Sequence, residues 1–88
     1  MIKLLPIGTV VELEDAKTPF MIAGYFPKDK DSDYRFDYAG FPYPLGFTAQ
    51  VTEPFPFDTG SITEILVMGY EDQECDAFLK KLESFQEE

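Results

Sequence analysis

The sequence predicts an α+β domain: a small, twisted antiparallel sheet, SH3-like or a partly open barrel, followed by one C-terminal α-helix. Three observations predict it. Short β-branched and aromatic runs, bounded by Gly, Pro and Asp, recur up to Tyr70. An apolar stripe at helical spacing then follows, formed by Cys75, Phe78, Leu79, Leu82 and Phe85. At 88 residues the chain makes one domain, residues 1–88, with a thin core.

The elements follow in order. Pro6-Ile7-Gly8 punctuates the start, and Thr9 to Leu13 reads as a strand by its β-branched content. Glu14 to Thr18 is turn-like. Phe20 to Phe26 is a second, mostly apolar strand that forms a hairpin with the first, and Gly24 marks a bulge or close approach. Pro27 to Asp33 is a charged loop. Tyr34-Arg35-Phe36-Asp37-Tyr38 alternates aromatic with charged residues, the period of a half-buried strand. Phe41 to Gly46 must turn, because Pro42 and Pro44 lack the donors that a central strand needs. Phe47 to Thr52 reads as a further short strand, and Pro54 and Pro56 hold Phe55 in an extended segment.

Asp58 to Ser61 is a turn. Ile62 to Tyr70 is the strongest strand signal, and its apolar run Ile65 to Met68 predicts a central strand buried on both faces. Asp72 suits an N-cap, and Glu71, Glu74 and Asp76 favour a helix start by the dipole. The helix is expected over 73–85, its Phe78 and Leu82 facing the sheet, with Glu87 and Glu88 opposing the dipole at its end. A sheet of so few strands leaves an edge that invites pairing, so a homodimer is one expectation.

Composition excludes more than it includes. The net charge is −10 with seven scattered basic residues, which disfavours nucleic acid and anionic membranes as partners. A hydrophobic fraction of 44% with fourteen aromatic residues argues against disorder. There is no histidine, which removes Ser-His and Cys-His pairs and nearly every zinc site. Cys75 is the only cysteine, so no intramolecular disulfide forms and a reducing compartment is expected. The N-terminal apolar run is cut off by Pro6 and Gly8, too short for a signal peptide, and the expected location is cytoplasmic.

Candidate chemistries fail on inspection. Asp29-x-Asp31-x-Asp33 opens like a calcium loop, but Tyr34 stands where glycine is required and Gly40 where the bidentate glutamate is required. The glycines form no phosphate-binding pattern. Cys75 has acidic neighbours and lies on the apolar stripe, as a packed cysteine does. No catalytic, cofactor or metal residues are assigned, and the chain is read as no enzyme.

The stretch Tyr38-Ala39-Gly40-Phe41-Pro42-Tyr43-Pro44-Leu45-Gly46 is the most informative. Eight of the fourteen aromatics lie between Tyr34 and Phe57, and four of the seven prolines between Pro42 and Pro56. Rings on a stiff backbone lose little entropy on contact, so they serve either as core or as a docking surface. Tyr38, Phe41, Pro42, Tyr43 and Pro44 are the candidate protein-binding residues.

Three blocks carry a resemblance: Leu5-Pro6-Ile7-Gly8-Thr9-Val10-Val11, Phe36 to Gly46, and Ile62 to Asp72 with Phe78-Leu79. In that order and spacing they resemble the small bacterial family known as domain of unknown function 4176. The resemblance implies an accessory protein of the Gram-positive type VII secretion system, encoded near LXG-type toxins. It implies a cytoplasmic chaperone or adaptor that binds such a toxin; the alternative is an immunity protein that neutralises its cognate toxin. It carries over no catalytic residue.

Overall fold

The computed structural model describes residues 3–85; the acidic end, Glu87 and Glu88, and the side chain of Phe85 lie outside the description. Among these residues five strands form one open antiparallel sheet: β1 (Val10–Leu13), β2 (Phe20–Tyr25), β3 (Tyr38–Pro42), β4 (Phe55–Phe57) and β5 (Ile62–Val67), in the order β4-β3-β2-β1-β5. A 3-10 turn, Thr59–Ser61, leads into β5, and helix α1 (Gln73–Phe85) closes the chain. This is the α+β arrangement the sequence predicts, in its open form.

One face of the sheet is the core. Val11 and Leu13 of β1, Ile22 of β2, Tyr38 of β3 and Phe57 of β4 are buried there together with Leu4 and Leu79. An unbroken series of ring contacts crosses this face: Phe55 to Phe20 at 5.1 Å, Phe20 to Phe57 at 6.3 Å, Phe57 to Tyr38 at 5.6 Å, Tyr38 to Tyr25 at 6.0 Å and Tyr25 to Phe78 on the helix at 6.3 Å. Six aromatic rings thus do the work that longer aliphatic layers do in a larger domain.

The N-terminal segment threads between helix and sheet. The Leu4 N–H donates to the Glu83 carboxylate at 2.8 Å, and the Tyr25 hydroxyl donates to the Leu5 carbonyl. Thr9 is fully buried, and its hydroxyl accepts the Gly69 N–H at 2.9 Å. Gly69 lies so close to this segment that a Cβ there would sit 2.1 Å from the Ile7 carbonyl oxygen, which explains a glycine at the end of β5. The helix begins as expected: Asp72 Oδ1 accepts the Cys75 N–H at 2.8 Å, an N-cap to the third helical residue.

Several expectations are corrected. Tyr34 to Tyr38 is no strand; only Arg35 bridges, to Lys28, and β3 starts where that segment was expected to end. Its alternation reflects local packing: Tyr34 stacks edge-on against Phe36 at 4.9 Å, and Asp58 takes both the Asp37 N–H and the Tyr34 hydroxyl. Pro42 sits inside an interior strand, against the rule applied to it. The reason is that β4 is three residues long and stops opposite Gly40, so no neighbour beyond asks Pro42 for a donor. Phe47 to Thr52 is a loop, because the Thr48 hydroxyl captures the N–H groups of Gln50 and Val51. Strand β2 ends at Tyr25, and Phe26 takes a left-handed φ of 56°.

The largest correction concerns β5. It pairs with β1 alone and forms the sheet edge, with Ile65 44%, Leu66 41% and Val67 59% exposed. Its ladder with β1 shifts register twice, between Val10 and Val11 and between Glu12 and Leu13. Such bulges blunt an edge against further strand addition. On the helix, Leu79 is the buried residue, while Leu82 packs against the core half-buried and Phe78 is 52% exposed.

Candidate protein-binding surface

Opposite residues in an antiparallel ladder share a face, so the register identifies what lies on the side away from the core. Val10 is opposite Val67 on one side and Met21 on the other, and Met21 is opposite Phe41. Val67, Val10, Met21 and Phe41 therefore make one apolar row across β5, β1, β2 and β3. Phe47, from the loop after β3, extends the row by packing edge-on against Phe41 at 5.9 Å. Val67, Met21 and Phe47 are 59%, 38% and 70% exposed, so the row faces outward.

The candidate residues divide across the two faces. Tyr38 is fully buried, and its hydroxyl accepts the Leu5 N–H. It belongs to the core and is removed from the contact surface, since its ladder partner Tyr25 and the ring of Phe57 enclose it. Phe41 and Pro42 are half-buried, and Phe41 stands in the outward row. Tyr43 is 57% exposed and Pro44 is exposed, joined by a cis peptide, at the turn where the row meets the loop. Phe41, Tyr43 and Pro44 thus lie at the β3 end of the row. Val10, Met21 and Val67 were not singled out from the sequence. The alternation of Val11 and Leu13 with Glu12 was the available signal for Val10, but Met21 and Val67 sit inside apolar runs, which carry no information about face.

The core side also opens into a groove of about 490 Å³ floored by Leu13, Phe20, Phe36, Phe55 and Phe57. It lies at the end of the core face away from the helix and exposes edges of the aromatic series. The groove brings no acid-base set together. Among the described residues no three His, Cys, Asp or Glu side chains converge as a metal cluster. Two of the three aspartates of the charged loop have local partners: Asp29 accepts the Ser32 hydroxyl at 2.9 Å and Asp33 pairs with Lys28 at 3.4 Å. Burial pushes the Cys75 thiol up, and Asp76, Asp72 and Glu71 push it further, which keeps it protonated and a poor nucleophile. Among the described residues no helix is long and apolar enough to cross a membrane.

Fold and surface together define a class: a small α+β domain on an open antiparallel sheet, one face packed as the core with a helix at one end and the other carrying an exposed apolar row. The chain belongs to the family called domain of unknown function (DUF4176), whose model matches residues 4–78. Comparison with curated proteins gave no significant match, nor did comparison with solved structures.

Proposed function

We propose that this chain is a non-catalytic, cytoplasmic accessory factor that binds a protein, acting as chaperone or adaptor for an LXG-type toxin of the type VII secretion system. The observation that carries the binding role is the outward apolar row from Val67 to Phe47, with exposed Tyr43 at its end. A contiguous apolar strip on an otherwise acidic surface stabilises association with another chain more than it stabilises the free domain. The pathway is what the resemblance carried by the three sequence blocks implies.

The test is affinity purification of the tagged protein from its own cells, followed by secretion assays. Recovery of an LXG-type toxin with Tyr43 and Met21 protected in the complex, and loss of toxin export on deletion, is the expected result. A stoichiometric block of toxin activity, with death of the producer on deletion, would identify the immunity role instead. Absence of any toxin from the purified material would refute both.

A further inference from the structure

The five strands contain only two charged residues, Glu12 and Glu64, and these stand directly opposite each other between β1 and β5. Both are exposed. Glu12 is two residues from Val10, so the carboxylates lie on the uncovered face beside the apolar row. Like charges directly opposite in a ladder destabilise it. The fold places its only strand charges where they repel, next to its exposed apolar strip.

We propose that this face binds a cationic amphipathic helix, whose apolar side chains cover Val67, Val10, Met21 and Phe41 and whose Lys or Arg enters between Glu12 and Glu64. The row crosses four strands at about 4.8 Å spacing, a span of about 14 Å. A helix covers that distance in about ten residues. A helix also satisfies its own backbone, which suits an interior sheet face whose backbone groups are already paired in the ladders. A second copy of the chain is a poor occupant: its strands bring two more carboxylates and no cation. An anionic bilayer is repelled for the same reason.

The inference rests on the protein-binding reading, but its test does not need the toxin. The probe is a synthetic helix of about 14 residues, with leucine on one face and lysine on the other. Its control carries glutamine in place of lysine. Binding to the full chain is followed by calorimetry at about 0.3 M salt, where long-range attraction is screened, and by amide shift mapping. The lysine peptide should shift amides of β1, β2, β3 and β5. Glu12→Gln with Glu64→Gln should weaken it about ten-fold, while Asp29→Asn with Asp31→Asn, an equal charge change elsewhere, should weaken it less than about two-fold. Met21→Asp should abolish binding.

The free Glu64→Gln variant should melt at a higher temperature than the native protein, which shows that the fold tolerates the change and that the pair costs stability. Equal weakening by the two double variants would reduce the effect to net charge and overturn the proposal. So would shifts confined to the charged loop or the helix, or a native dimer that Met21→Asp dissociates. Toxin capture that survives Met21→Asp would sink this face while leaving the proposed function standing. Peptide binding without toxin capture would do the reverse.

Discussion

The hydroxyl of Tyr38 accepts the backbone N–H of Leu5 at 3.0 Å. Tyr25 donates its own hydroxyl to the Leu5 carbonyl, so two tyrosines satisfy both polar groups of one residue in the segment between helix and sheet. Neither could be phenylalanine without orphaning a backbone group in a partly buried place.

This clamp makes the fold sensitive to alkali. Burial is the main cause that raises the phenol pKa of both Tyr25 and Tyr38 above the ordinary value of 10.0. The folded chain then holds protons that the unfolded chain releases. The stabilisation is whole below the ordinary tyrosine pKa and is lost as pH rises through the raised values. Urea unfolding from neutral pH to above pH 10 should show a steep decline in the native protein. Tyr25→Phe should cost about 1 kcal/mol at neutral pH and flatten that decline. An unchanged slope would show that the clamp does not govern it.

Leu79→Ala should destabilise the domain by about 2–5 kcal/mol, because Leu79 is the helix residue enclosed by the core. Leu82→Ala should cost clearly less, since Leu82 is only partly covered. Denaturant midpoints for the two variants check the order, and a reversed order would mean that the helix sits on a different face.

Gly69→Ala should be more damaging than its one methyl group implies. The added carbon would meet the Ile7 carbonyl oxygen at 2.1 Å and its carbon at 2.9 Å, both backbone atoms that cannot rotate away. A loss of about 2 kcal/mol or more is expected, read from thermal or urea unfolding. Gly60→Ala, where nothing lies within 4 Å, is the matched control and should be near neutral.

Tyr43→Ala should leave the melting temperature nearly unchanged, as the ring is 57% exposed. It should weaken partner binding several-fold even at high salt, because an aromatic anchor contributes by burial and not by steering. Asp29→Asn should instead slow association at low salt only. Unfolding by Tyr43→Ala would return this ring to the packing role.

Local chemistry was legible where it acts alone. Asp72, the stripe from Cys75 to Leu82 and the absence of any β-branched residue in between determine the helix at Gln73–Phe85, because capping and periodicity need no distant partner. The hairpin of β1 and β2 followed in the same way from two apolar runs and a polar turn. What the tertiary structure alone decided is which strand neighbours which. Ile62 to Val67 has the composition of a buried strand, yet the order β4-β3-β2-β1-β5 puts it on the edge. A continuous apolar run does not say how many neighbours it has, and strand order depends on pairings distant in sequence. The uncovered face has the same origin. Val10, Met21, Phe41 and Val67 are far apart in sequence and become one row only through register, and the same register sets Glu12 against Glu64.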